Sequence, residues 1–347
     1  MQTEAKKRIY SKVPDLCVLV CGAGSIGQRH ITNLKELGVT VIAWRARKDK
    51  LSELADKFKI SVFSDLDEAL DACDAVIIAT ETHRHTEIAL IAAEKKKHLF
   101  IEKPVSHNLE NLEKLSQISS KNQLVIEVGC MLRVSETLNK LREIIDTQEY
   151  GPVLTYRTVM GQSLDTWRPD SDYRISYSAD RARGGGALMD LIHQIDLVQY
   201  LFGQITNVYC FNQTIGPLEI NAETISSLTL QSKSGISGQV QVDMISPVYR
   251  GNIEVVTADA LLTWDIQKNQ LSINQADSEE ISISPRSGFQ RNDFFMAHMK
   301  HFLSRISDKK MPEVASLKEG VTAINVVLTA YKSNLEGRRL PVSFINW

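Results

Sequence analysis

The stretch LCVLVCGAGSIGQRHITNLKELGVTVIAW, residues 16–44, decides the fold. It reads as a short apolar run (16–21), a glycine turn, a helical pattern IGQRHITNLKEL (26–37) stopped by Gly38, and a second run VTVIAW (39–44). Strand, helix and strand in that order predict a βαβ unit with parallel strands. Gly22, Gly24 and Gly27 stand in GxGxxG spacing, directly after the first strand and opening the helix. There Gly22 permits the tight turn, Gly24 lets the backbone approach a pyrophosphate, and Gly27 lets helix pack on strand, so the helix N-terminus faces the anion. The pattern predicts a dinucleotide cofactor on Gly22, Gly24, Ser25, Ile26 and Gly27.

The same rhythm continues through LSELADKF (51–58), DAVIIAT (74–80), HTEIALIAAEKK (85–96), HLFIEK (98–103), LENLEKLSQISS (109–120) and QLVIEVG (123–129). Residues 15–130 are therefore expected to form an α/β Rossmann domain, a doubly wound parallel sheet, behind a flexible tail over 1–14. After Gly151-Pro152 the runs at 153–160, 205–212, 223–231, 236–245 and 252–257 follow one another with little helix between them, which predicts a mostly antiparallel sheet. In 236–245, Ile236, Val240, Val242 and Met244 oppose Gln239, Gln241 and Asp243, so one face is buried and the other is solvated or a subunit interface. Helical patterns at 294–306 and 317–337 close an expected α+β domain over 131–347, the second ended by Gly337.

With 40 Lys and Arg against 42 Asp and Glu, 43% hydrophobic and 24% charged residues, the balance is that of a globular protein and excludes a disordered one. A length of 347 residues exceeds what one core supports and predicts two domains sharing a cleft. The net charge of -2, with cations scattered, gives no pull toward nucleic acid or a membrane surface. Five cysteines without a CxxC pair or a zinc-type Cys/His pattern argue against a disulfide framework and a structural metal. Leu16 to Cys21 is too short an apolar run for a signal or a membrane span, so a cytoplasmic protein is expected.

Cofactor choice turns on the end of the second strand, where an acid would bond a ribose 2′-OH and an arginine would accommodate a 2′-phosphate. The sequence there is Trp44-Arg45-Ala46-Arg47-Lys48, with no carboxylate before Asp49. Arg45 and Arg47 predict NADP(H) over NAD(H), with Trp44 packing or flanking the adenine.

The segment ATETHRHTEIALIAAEKKKHLFIEKPVSHN (79–108) resembles the glucose-fructose oxidoreductase/inositol dehydrogenase (Gfo/Idh/MocA) family. In that family a strand ending Ala-Thr leads to a His-x-Glu helix and a later strand ends Glu-Lys-Pro, matched here by Ala79-Thr80, His85-Thr86-Glu87 and Glu102-Lys103-Pro104. The resemblance covers residues 15 to 347. It implies Thr80, His85, Glu102 and Lys103 at the cofactor, a second domain whose open sheet makes dimer or tetramer contacts, and no metal. Lys103, a cation at the carboxyl end of a parallel strand, could polarise or protonate a carbinol oxygen. In GGGALMDLIHQIDLVQYLFG (184–203), Asp190 and His193 lie three apart on a helix and therefore share a face, and can exchange a proton near neutral pH. His193 resembles the family's catalytic histidine. Asp190 departs from the common four-residue gap and is similar to a subset associated with surface-sugar biosynthesis.

The segment SLDTWRPDSDYRISYSADRARGGG (163–186) is dense in arginine and aromatic residues and is read as a substrate loop. Trp167, Arg168, Tyr173 and Arg174 could hold an anionic or nucleotide-activated sugar, with His193 beside them and Arg133 a further candidate by resemblance. His83, His98 and His107 form no metal set. The expectation is an NAD(P)-dependent oxidoreductase moving hydride between nicotinamide and a sugar carbinol. Two alternatives stay open: an NAD-dependent internal redox enzyme of glycosidase type, and a non-catalytic NADP(H)-binding sensor.

Overall fold

A computed structural model describes residues 16–46, 50–167 and 172–347. The first sheet is built from β1 (Cys17–Cys21), β2 (Thr40–Trp44), β3 (Ser61–Phe63), β4 (Ala75–Ile78), β5 (His98–Ile101) and β6 (Ile126–Val128). These run parallel in the order β3-β2-β1-β4-β5-β6. The connections are α1 (Ser25–Glu36), α2 (Leu51–Phe58), α3 (Leu66–Asp71), α4 (His85–Glu94) and α5 (Leu112–Lys121). The order reverses between β1 and β4, the switch point outside which ligands of open α/β sheets bind. Val18 and Val20 pack to one side with Ile31 and Leu34, while Leu19 and Cys21 pack to the other with Ile78 and Ala89. Each such fully buried aliphatic side chain contributes roughly 1.5–3 kcal/mol.

The chain then passes through α6 (Glu136–Thr147) into a second sheet of β7 (Val153–Gly161), β8 (Ile205–Gln213), β9 (Ile225–Ser232), β10 (Ser237–Asp243), β11 (Arg250–Thr257), β12 (Leu261–Asp265), β13 (Gln270–Asn274), β14 (Ile281–Ile283) and β15 (Leu340–Pro341). Its order is β14-β13-β12-β11-β7-β10-β9-β8-β15, with β7 and β10 the one parallel pair among the described residues. The helices α7 (Ala187–Asp190), α8 (His193–Phe202) and α10 (Leu317–Glu336) cover one face, the last opened by a Ser316–Glu319 capping box. The opposite face exposes Leu154, Tyr209 and Phe211.

Three features depart from the sequence reading. The strands β12 to β14 were not anticipated, because their runs are short and broken by charge. Asp243, expected on the open face, is buried: it accepts from the Ile245 and Ser246 backbone N–H groups and pairs with Arg250 at 2.6 Å. The helix α9 (Asn292–Ser307), which follows β14 in sequence, packs on the first sheet, where Met299, Phe302 and Leu303 join the core of Val18, Val20 and Ile31. Arg305 of α9 reaches Glu127 of β6 at 2.9 Å, with His298 at 3.4 Å. Burial alone would raise the Glu127 carboxyl, but the histidines and Arg305 hold it far below the usual carboxylate range.

All five cysteines are free thiols, and burial pushes those of Cys73 and Cys210 up to about 12. No helix of the described residues is long and apolar enough to cross a membrane.

Candidate active site

The glycine turn has the shape a dinucleotide needs. Gly22 has φ +97°, and a Cβ there would sit 2.5 Å from the Ala79 carbonyl oxygen. A Cβ at Gly27 would strike the Gly22 carbonyl. At Gly24 nothing lies within 4 Å, so the backbone is open to a ligand, and α1 begins without a side-chain cap for its first N–H groups. Uncapped N–H groups above an open backbone fit a pyrophosphate.

In front of this turn lies a cavity of about 420 Å³ between the two sheets. Ser25 and Ile26 reach it from the start of α1 and Thr80 from the loop after β4, with Glu102 and Lys103 from the end of β5, where the Lys103–Pro104 bond is cis. Asp190, His193 and Trp167 reach it from the other side. Asp190 and His193 do not share one continuous helix, as the sequence reading expected. The helix breaks at Leu191 and Ile192, so Asp190 ends α7 and His193 starts α8, yet both still line the cavity.

Lys103 Nζ donates to the Asp190 backbone oxygen at 2.7 Å, which ties the two domains together at the cavity. Burial lowers the Lys103 pKa, opposed chiefly by the Asp190 and Glu102 carboxylates. Burial drives His193 well below its ordinary value, and the charges of Lys103 and Arg291 push the same way. His193 is therefore a neutral imidazole at neutral pH, able to accept a proton, facing a site with an ammonium.

Neighbours fix this arrangement. His85, buried on α4, has Nδ1 2.8 Å from the Pro104 oxygen and Nε2 3.0 Å from the Thr80 oxygen, joining the loops after β4 and β5. Glu223 is buried and accepts from the Leu188 N–H in the first turn of α7, the Tyr331 hydroxyl and Arg181, holding the helix that carries Asp190. Gly186 is needed beside it, because a Cβ there would lie 2.5 Å from a Glu223 oxygen.

Other expected site residues fall elsewhere. Trp44 is 5% exposed and donates to the Ser64 oxygen at 3.2 Å, so it packs as core, with Arg84 5.2 Å above its ring. Arg45 follows it, partly buried. Arg133 does not reach the cavity: it is buried in a bidentate pair with Asp196 and a further ion pair with Glu319, because its helical turn faces α8 and α10 instead. Arg174 is exposed and engaged by Asp172 and Glu219, and the Tyr173 hydroxyl accepts from the Glu219 N–H, so neither lines the cavity. Arg47 and Arg168 lie outside the described residues, as does the tail over 1–14. His98 accepts from the Val125 N–H as a strand residue. Among the described residues no group of three or more His, Cys, Asp and Glu is placed to hold a metal ion.

The sequence reading missed Arg29, Tyr249, Arg291 and Phe295 in the cavity wall, and His30 behind Glu102. Arg29 and His30 could have been found one turn beyond Ile26 on the helix that the glycines open. Tyr249 and Arg291 carry no local motif and come together only through the fold.

Residues 16–130 match the sequence profile of a family described as "Oxidoreductase family, NAD-binding Rossmann fold", and residues 138–263 match the "GFO/IDH/MocA C-terminal domain". A myo-inositol 2-dehydrogenase of Thermotoga maritima is 25% identical over 334 residues, covering 92% of this chain and 96% of its own. A levoglucosan dehydrogenase solved with NADH superposes with a TM-score of 0.84 at 19% identity, over 96% of this chain and all of its own. A dehydrogenase of Bordetella pertussis solved with NADH and UDP-GlcNAcA gives 0.81 at 18% identity, over 96% of this chain and all of its own.

Proposed function

The chain belongs to the Gfo/Idh/MocA oxidoreductase family and is an NAD(P)-dependent sugar oxidoreductase, and from that premise we propose that His193 and Lys103 handle the proton while hydride moves between nicotinamide and a sugar carbinol. The convergence of Lys103, Asp190 and His193 on one cavity before the glycine turn supports this reading. The pyridine nucleotide, when bound, supplies hydride transfer at its C4. In the oxidative direction neutral His193 accepts the carbinol proton, Lys103 stabilises the oxygen as negative charge grows on it, and Asp190 supports the ammonium. Glu102 and His85 position Lys103 and the loops around it. The test is a screen of sugars with NAD⁺ and NADP⁺, followed by reduced-nicotinamide absorbance, in wild type and His193→Ala. Turnover that survives the substitution unchanged refutes the assignment. Turnover without exchange of bound nucleotide would favour internal redox chemistry instead.

The cofactor reading favours NADP(H), supported by the carboxylate-free end of β2 and by Arg45 and Arg84 beside Trp44. Buried free thiols suit a reducing cytoplasm. The exposed Leu154, Tyr209 and Phe211 on the open sheet face suit a homo-oligomer. A monomeric mass by light scattering would exclude that assembly.

A further inference from the structure

The arginines of the described substrate-loop segment are each engaged by carboxylates: Arg174 by Asp172 and Glu219, Arg181 by Glu223, and Arg183 by Glu81. Two arginines of the cavity wall differ. Arg29 projects from α1 with its guanidinium 4.5 Å from the Phe295 ring centroid, and Arg291, at the N-cap of α9, stands 5.8 Å from that of Tyr249. Both line the cavity that holds Lys103 and His193, and neither makes an ion pair with a carboxylate of the described residues. Phe295 lies one helical turn after Arg291, so the two guanidinium groups flank one stretch of wall, one from α1 and one from the start of the α9 that packs on it. The charges also repel: after burial, Arg291 is the next cause that lowers the Arg29 pKa, and it depresses Lys103 and His193 as well.

The two carboxylates of the wall offset this only in part, since Glu102 attracts Arg29 but is bonded to His30, and Asp190 lies beside Lys103. A planar guanidinium held on an aromatic face presents its remaining N–H groups as a fork that matches a carboxylate or phosphate. We infer that Arg29 and Arg291 form an anion clamp between α1 and the start of α9, and that the substrate is a sugar bearing a carboxylate or phosphate away from the reacting carbinol. The inference rests on the oxidoreductase reading above and names its substrate class. It moves the anion site from the loop at 163–186, where the sequence reading had it, to the wall of the cleft built by α1 and α9.

Protein saturated with NADPH, or with NADH if that binds tighter, is titrated with D-glucuronate, D-glucose 6-phosphate and D-glucose, read by reduced-nicotinamide fluorescence, in wild type, Arg29→Gln and Arg291→Gln. Wild type is expected to bind one of the two anions about tenfold or more tighter than glucose, and each substitution to erase most of that preference with nucleotide affinity kept. Preference for glucuronate assigns the clamp to a carboxylate, and preference for glucose 6-phosphate assigns it to a phosphate. Equal affinity for anions and glucose, or preference that survives both substitutions, overturns the clamp alone. Loss of nucleotide binding in Arg29→Gln also overturns it, because Arg29 would then serve the cofactor. Protein that binds neither nucleotide sinks the oxidoreductase reading and the clamp together. Arg291 is exposed and is the variant that keeps the test alive should Arg29→Gln not fold.

Discussion

Nε2 of His30, on α1, lies 2.7 Å from Oε1 of Glu102, 72 residues further along the chain, and both side chains are almost wholly buried. The pair joins the helix opened by the glycine turn to the strand end that carries Lys103. Burial would raise the Glu102 carboxyl, but the hydrogen bond and charge of His30, helped by Lys103, hold it below its ordinary value. A carboxylate with a depressed folded pKa adds stability above its unfolded pKa and loses it as pH falls through the folded one. His30→Ala is therefore expected to cost about 3 kcal/mol at neutral pH in urea unfolding. The gap to wild type should narrow as acid protonates Glu102, and a gap independent of pH would refute the pairing.

Activity should carry the same logic into its pH profile. In the proposed mechanism neutral His193 accepts the proton, so oxidation rate should fall as pH drops through its lowered pKa, and the acid limb is expected well under 6.5. The same proposal makes the ammonium of Lys103 the active form, so the alkaline limb is expected below 10.5. Lys103→Ala should lower kcat by about 10²–10⁴ and remove the alkaline limb. An acid limb at or above the ordinary histidine value would assign the base elsewhere.

Cofactor preference is tested at Arg45. Arg45→Asp places a carboxylate where it accepts from a ribose 2′-OH and repels a 2′-phosphate. NADPH is expected to lose about tenfold or more in affinity relative to NADH, measured by fluorescence titration. Unchanged relative affinity would move the choice to Arg84 or to residues beyond the described ones.

Arg133 separates a structural role from a substrate role. Removing it strands Asp196 in the interior, so Arg133→Ala is expected to lose roughly 3–5 kcal/mol of stability. Variant that remains folded should keep its KM for sugar, and a large rise in KM without loss of stability would return Arg133 to the substrate site.

Legibility followed the range of each interaction. The glycine turn and the parallel strands were readable because three glycines and the apolar runs act within one βαβ unit. Lys103 and His193 were readable through their short motifs, and the fold brings both to one cavity. Arg29 and Arg291 were not, since their shared position depends on α9 crossing back to the first sheet. Arg133 misled for a related reason: a cation near a strand end reads as a cleft residue until Asp196, on a helix 63 positions later, is seen to occupy it.

The same return of α9 bears on how the protein is made. Met299, Phe302, Leu303 and Arg305 complete the core and neutralise Glu127 of a domain whose own strands end at Val128. A fragment ending near residue 130 would expose that apolar face and strip Glu127 of its partners on α9, and its failure to unfold cooperatively in urea would show it. On the ribosome, the nucleotide-binding half must wait, unfinished, until α9, more than 160 residues beyond its last strand, has been translated.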